Sequence, residues 1–310
     1  MQEITQWLER HQTDGVNLTL TELLHYQSKT AMLDLSPRKT IQSKLAGTYL
    51  AKTRGRGMEF DEARHYQPGD DIRAIDWRVT ARTGKTHTKL YQEEKERPIF
   101  VLTDLSASMH FGTQFVFKSV QAAHLSALIA WSARKRGDRI GGLIYNQTEH
   151  LEYKPMTRQK AVLSLLNGLL KLHARSTQSP QVNFTEACAR MRRMAHPGSL
   201  IFIISDFRQF DEQARQHLFQ LSRHCELVAY PISDPFEHEL PQVQVPQQVS
   251  ITDDQVTRSL ILGEEKTETL YRQRHQQQLA YLHTQLKQCR CQVLPISSGL
   301  SLELQLGGKL

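Results

Sequence analysis

The stretch Pro98–Thr113, PIFVLTDLSASMHFGT, decides how this chain is to be read. A short apolar run ends in Asp104, and Ser106 and Ser108 follow at alternate positions. Polar residues at the C-terminal end of a strand are where α/β proteins bind ligands. Serine is equally a preferred helix N-cap. The two roles separate a chemical site from a folding signal.

Downstream the pattern alternates strand and helix. FVFKSVQAAHLSALIAWSARKRG carries Phe117, Val120, Leu128 and Trp131 at helical spacing, with Gly137 placed to end the helix. DRIGGLIYN and EHLEYKP read as strands joined by a turn at Asn146–Gln147. RQKAVLSLLNGLLKLH has a wide apolar stripe, FTEACARMRRMAHPG is a helix ended by Pro197–Gly198, and SLIFIISD is a continuous apolar strand. A helix with Asp211 near its start, the strand ELVAYPIS, a less regular stretch from Asp234 to Gly263, a long polar helix and the strand CQVLPIS complete the chain. Apolar strands alternating with helices indicate a doubly wound, mainly parallel α/β sheet covered on both faces. We assign it to residues 98–310.

Residues 1–97 form an N-terminal extension of helical and β-rich character. Leu20, Leu24 and Ala31 suggest one helix, and Ile41, Leu45 and Tyr49 another. A charged, glycine-punctuated segment follows, with a turn at Pro68–Gly69 and strand-like alternation in WRVTA and THTKLYQ.

The chain has 310 residues, 23% of them charged, and a formal net charge of +7. No apolar run approaches the roughly 18 residues that span a bilayer, and no secretory signal pattern opens the sequence. The cysteines Cys188, Cys225, Cys289 and Cys291 do not form a disulfide framework or a zinc pattern, so reduced thiols and a cytoplasmic location are expected. The basic residues are scattered in short groups, several at helix C-termini, where cations complement the dipole. Nucleic-acid binding therefore has only the net charge in its favour. None of the 14 histidines forms His-x-x-x-His or accompanies a nucleophile motif; solvated or core positions account for most.

Asp104, Ser106 and Ser108 supply part of the oxygen shell that Mg²⁺ requires. Thr185, at the start of a helix, and Asp206, at the end of the strand SLIFIISD, would complete it if three strand-end loops converge. A site so rich in hydroxyls leaves Mg²⁺ or Mn²⁺ electron-poor and ready to accept an outside carboxylate. The expected partner is thus a protein offering an acidic residue. An enzymatic alternative, a phosphohydrolase with an attacking Asp104, needs a second acid two residues later. That position is Ser106, whose hydroxyl has no suitable pKa. No Gly-x-x-x-x-Gly-Lys-Ser/Thr loop is present, so the chain is not itself a P-loop NTPase.

DLSAS, FTEA and ISDF, in that order, resemble the metal-ion-dependent adhesion site of the von Willebrand factor A-like fold. The segment GRGMEFDEARHYQPGDDIRAIDWRVTARTGKTHTKLYQEE closely resembles the hallmark of the prokaryotic domain of unknown function 58 family. Matching positions are Gly55, Gly57, Phe60, Arg64, Tyr66, Gly69, Asp70, Asp71, Arg73, Ile75, Asp76, Trp77, Ala81 and Arg82. The resemblance implies a metal-dependent adaptor working with a MoxR-type AAA+ ATPase in the assembly or maturation of other proteins. Many members of that family carry an N-terminal membrane anchor; the opening of this sequence leads us to expect none here, in keeping with the cytoplasmic expectation.

Within the hallmark, GDDIRAIDW reads first as a fastening, with Asp–Arg pairs and a buried Trp77. The other reading is a partner-docking surface of Arg73, Trp77, Arg78 and Arg82, since Arg and Trp are frequent hot spots.

Overall fold

A computed structural model of the chain describes residues 2–35, 58–67, 71–93, 96–173, 182–243, 245–252 and 257–307. The expected helix around Ile41, Leu45 and Tyr49, the turn at Pro68–Gly69, and the hallmark residues Gly55, Gly57, Gly69 and Asp70 lie outside the described residues. Two units are present, one of residues 36–96 and the other of residues 1–35 together with 97–310.

The N-terminal segment contains helices α1 (Gln2–His11) and α2 (Leu20–His25), the latter running into a 3₁₀ helix, Tyr26–Met32. Thr19 and Glu22 form a capping box that starts α2. A cut at 97/98 would leave this segment with the charged block. It belongs instead to the α/β unit, because Leu23, Tyr26 and Leu35 are buried in that unit's core.

In the smaller unit, β1 (Met58–His65) pairs antiparallel with β2 (His87–Glu93). Between them lie a 3₁₀ turn, Ile72–Ala74, and helix α3 (Trp77–Thr83). WRVTA is therefore helical, not a strand. Asp76 caps its start, accepting the N–H groups of Arg78 and Val79 at 3.0 and 3.1 Å, and Gly84 closes it at φ 69°. These end signals outweigh the β-leaning Val79 and Thr80 over so short a stretch.

The α/β unit opens with β3 (Pro98–Asp104), followed by α4 (Lys118–Arg136), β4 (Arg139–Tyr145) and β5 (His150–Met156). Helices α5 (Gln159–His173) and α6 (Phe184–Met194) lead to β6 (Leu200–Ser205). Helix α7 (Glu212–Leu221), β7 (Glu226–Ser233) and the short α8 (Pro235–His238) come next. The stretch expected to be irregular contains an antiparallel hairpin of β8 (Gln247–Thr252) and β9 (Thr257–Leu262). Helix α9 (Glu265–Gln288) then precedes the short strands β10 (Gln292–Val293) and β11 (Ile296–Ser297).

Among the described residues the central sheet has the order β10-β7-β6-β3-β4-β5, with β11 beside β7. Every pairing is parallel except that of the edge strand β5 with β4. Successive side chains of β3 enter opposite cores, as strand geometry requires. Ile99 and Val101 join α2, α4 and α5 on one face; Phe100 and Leu102 join α6, α7 and α9 on the other. That two-sided burial explains the unbroken apolar runs in the sequence.

Helix α4 is buried along most of its length, from Lys118 to Ala133. An amphipathic helix would expose one face to water. Here the N-terminal segment covers that face. Trp131 Nε1 donates to Leu23 O at 3.1 Å, and His124 Nε2 lies 3.0 Å from Glu22 Oε2, both side chains fully buried. Gly137, at φ 89°, ends the helix in the left-handed conformation that glycine adopts without a Cβ clash. No described helix is long and apolar enough to cross a membrane.

Candidate functional site

The C-terminal ends of β3 and β6 lie side by side, with Thr103 opposite Ile204 in the parallel register. Asp104 closes β3, and Asp206 directly follows β6. This is the position at which parallel sheets present ligand-binding residues.

The Asp104 carboxylate is buried. Its Oδ1 accepts the N–H of Ser106 at 2.9 Å and its Oδ2 accepts the hydroxyl of Ser205 at 2.6 Å. The backbone bond folds the chain back on itself, so that Ser106 stands at the head of a 3₁₀ turn, Ala107–Met109. Helix capping does not explain the serines. The Ser106 side chain makes no cap hydrogen bond, and α4 begins after Phe117 without a side-chain cap. Ser106 Oγ and Ser108 Oγ are both buried and without a hydrogen-bond partner. A buried hydroxyl left unpaired costs about 1–3 kcal/mol, so two on one short loop need a reason.

Tyr145, at the end of β4, is paired in register with Asp104, and its buried hydroxyl lies near that carboxylate without reaching hydrogen-bond geometry. Burial, with the negative charge of Asp104 second, pushes its pKa well up. The Asp104 carboxyl is also raised, first by burial and then by the charge of Asp206. Hydrogen bonding from Ser205 and the nearby polar groups of Ser106 act in the opposite direction. The Ser106 hydroxyl thus lies close enough to influence Asp104 without reaching hydrogen-bond geometry.

Asp206 is held differently. Lys118 Nζ donates to Asp206 Oδ2 and to Glu237 Oε1, each at 2.8 Å. Arg208 reaches the same Glu237 oxygen at 2.7 Å. Glu237 in turn belongs to the capping box of α8, where its Oε2 accepts the N–H of Asp234 at 3.0 Å. Asp234 is fully buried and accepts bonds from the Thr113 and Ser298 hydroxyls at 2.5 and 2.8 Å.

The proximity of Asp104, Ser106 and Asp206 follows from β3 and β6 being neighbours. Thr185 has another engagement. It is the second residue of α6, which Asn183 caps, and its hydroxyl donates to Asp211 Oδ1 at 2.8 Å. Asp211 itself caps α7. Among the described residues there is no group of three or more His, Cys, Asp or Glu side chains poised to hold a metal ion. Any cation at Asp104 and Asp206 would depend on the hydroxyls.

Lys118, Glu237, Arg208, Ser205 and Tyr145 are absent from the sequence-based site. Lys118 did carry a signal, being the lone ionic residue in the run from Phe115 to Ala133. Glu237 and Arg208 carried none, since their roles depend on loops that meet only in the folded chain.

The family model described as "Protein of unknown function DUF58" matches residues 62–282. The chain belongs to this family. It is 31% identical over 214 residues to the uncharacterized protein Rv1480 of Mycobacterium tuberculosis and, equally, to the uncharacterized protein Mb1516 of Mycobacterium bovis. The alignment covers 68% of this chain and 66% of those relatives, just under two thirds of their length. Among solved structures the chain is similar to the conserved hypothetical protein BatB of Bacteroides thetaiotaomicron, at 12% identity and a TM-score of 0.42, over 67% of this chain and 93% of that one. It is also similar to an aerotolerance-related membrane protein of Bacteroides fragilis, at 11% identity and a TM-score of 0.43, over 69% and 100% of the two chains.

The DUF58 match includes α3 and its flanks. Trp77 is 68% exposed and Ile72 66%, which corrects the expectation of a buried tryptophan fastening this segment. Arg73, Arg78 and Arg82 are exposed too. The buried member of the group is Asp76, the α3 cap, and Asp71 likewise accepts the N–H of Arg73 at 3.0 Å. The aspartates shape the backbone and leave the tryptophan and arginines facing solvent.

Proposed function

We propose that this DUF58 chain is a protein-interaction module dependent on Mg²⁺ or Mn²⁺. Asp104, Ser106 and Ser108 would hold the ion, with Asp206 at its side and Thr185 reachable through the lone pairs of its hydroxyl. The observation that carries this reading is the pair of buried, unpartnered hydroxyls, Ser106 Oγ and Ser108 Oγ, beside a buried carboxylate. Hard oxygen donors of this kind suit Mg²⁺ and Mn²⁺. A bound ion supplies a Lewis-acidic point that accepts a partner's Asp or Glu. The chain's residues supply the rest: Ser205 and the Ser106 N–H orient Asp104, and the dry surroundings strengthen the attraction.

The motifs DLSAS, FTEA and ISDF are the basis for reading the α/β unit as von Willebrand factor A-like, and its mainly parallel sheet with one antiparallel edge strand is compatible with that reading. The family resemblance adds a MoxR-type AAA+ ATPase as the source of energy for assembling or maturing other proteins. A cytoplasmic setting goes with this reading, and all four cysteines are free. The exposure of Trp77 favours a second contact surface, formed by Arg73, Trp77, Arg78 and Arg82 on the smaller unit.

The test is a thermal melt of wild type and the double variant S106A/S108A, each titrated with Mg²⁺ and Mn²⁺ against a chelator control. Removing hydroxyls that lack partners leaves the metal-free protein as stable as wild type or slightly more so. An ion in hundredfold excess over its Kd stabilises the wild type by about 2.7 kcal/mol. A saturable rise in wild type and none in the variant supports the site. Equal rises in both overturn it, as does no rise in either when K118Q, which frees Asp206 of its lysine, shows none as well.

A further inference from the structure

Asp206 already faces a cation, Lys118. The lysine side chain is completely buried, and it bridges Asp206 and Glu237. Its location is costly. Lys118 opens α4, where the helix dipole disfavours positive charge, and a buried ammonium is expensive unless well paired. The packing of α4 gives no reason for it, since the buried residues that follow, to Ala133, include no Lys, Arg, Asp or Glu. A charge has been put where only the strand-end site uses it.

The charges of the site are unevenly matched. Asp206 and Glu237 share Lys118 and Arg208, with Arg208 contributing its backbone N–H to Asp206 Oδ1 at 3.1 Å as well. Asp104 accepts only neutral donors, the Ser106 N–H and the Ser205 hydroxyl, and among the described residues it has no ion pair. Beside it the Ser106 hydroxyl, 2% exposed, has no partner. One side of the site therefore carries its own cation, and the other side lacks one.

We propose that Lys118 is the resident counter-cation of this site and competes with a divalent ion for Asp206. This rests on the reading that Asp104, Ser106 and Ser108 take such an ion. When the ion is held there, Lys118 gives up Asp206 and keeps Glu237; when it is absent, Lys118 holds both. Lys118 thereby weakens the site's intrinsic affinity, so that occupancy depends on a partner's carboxylate to complete the ion's shell. The exchange also reaches outward. Glu237 binds the N–H of Asp234, and Asp234 anchors Thr113 and Ser298 on the neighbouring loops.

The experiment is a calorimetric Mn²⁺ titration of the full chain in three forms: wild type, K118Q and K118Q/D104N. Removing the competing charge is expected to tighten Mn²⁺ binding by at least about tenfold in K118Q, and D104N is expected to abolish the gain. Binding confined to K118Q supports the proposal equally. Wild type binding Mn²⁺ as tightly as K118Q, or more so, overturns the competition and leaves the cation reading standing. No binding in wild type or K118Q up to millimolar Mn²⁺ overturns both. If K118Q fails to fold, the wild type decides by NMR of its lysine ammonium groups. Saturating Mg²⁺ should then shift the Lys118 Nζ resonance, which burial protects from solvent exchange; an unmoved resonance with Mg²⁺ bound overturns the proposal.

Discussion

The hydroxyl of Ser205 donates to Asp104 Oδ2 at 2.6 Å, joining the ends of two strands that are 101 residues apart in sequence. Ser205 Oγ also accepts the N–H of Phe207 at 2.9 Å, where Phe207 holds a left-handed φ of 55°. One hydroxyl thus orients the buried carboxylate and secures the loop that carries Asp206. Ser205→Ala removes both bonds. We expect a loss of about 2 kcal/mol, the range for a hydrogen bond to a charged group. Urea denaturation checks it, and a loss below about 0.5 kcal/mol would show that the bond contributes nothing net.

Breaking the buried ion pair should cost more. Asp206→Ala leaves Lys118 with Glu237 alone, at a site where the side chains of Lys118 and Asp206 are 0% and 4% exposed. Removing one partner of a buried pair typically costs about 3–5 kcal/mol. The same substitution at Glu149, whose salt bridge to Lys171 is exposed, should cost under about 1 kcal/mol. Comparing the two denaturation midpoints separates a buried charge network from ordinary surface pairing.

The smaller unit offers a test of fastening against docking. Trp77→Ala should change stability by no more than about 0.5 kcal/mol, because the indole is exposed. Asp76→Ala should cost about 1–2 kcal/mol by uncapping α3. The reverse ranking would return Trp77 to a packing role.

Stability should fall as pH drops below neutrality. Burial, with the charge of His110 second, lowers the pKa of His173 to about 4. A base whose folded pKa lies below its unfolded value is protonated first in the unfolded chain. Its contribution is therefore complete above about pH 6.5 and is lost as pH falls toward 4, by an amount of order 2–3 kcal/mol. Glu303 acts in a lower window. Burial raises its pKa, but the hydrogen bond from His25 and other favourable interactions outweigh this and bring it to about 2. Its contribution holds above about pH 4.5 and is lost below. His173→Gln, able to keep a hydrogen bond to Ser119, should flatten the profile between pH 6.5 and 4.5 without altering the fall below it. Urea midpoints across pH 4–7.5 provide the measurement.

Much of the fold was legible in the amino-acid order. The apolar runs IFVLTD and SLIFIIS announced strands buried on both faces, and Gly137 announced the end of α4. Local signals were enough there because they depend on neighbours in sequence. WRVTA misled because so short a β-leaning alternation is decided by its caps, Asp76 and Gly84. The helical spacing of Phe117, Val120, Leu128 and Trp131 could not anticipate that Leu23, Tyr26 and Glu22, about 100 residues upstream, cover the outer face of α4.

The site divides in the same way. The sequence by itself determined the donor types on the loop after β3 and the strand end that carries Asp206. Only the tertiary structure decided that Ser106 and Ser108 go without partners, that Thr185 bonds Asp211, and that Lys118 is drawn between Asp206 and Glu237. The physical reason is that residue order fixes which polar groups a strand end presents. Whether those groups are desolvated, paired or left wanting a cation depends on side chains supplied from remote parts of the chain, and burial makes each of those outcomes worth several kcal/mol.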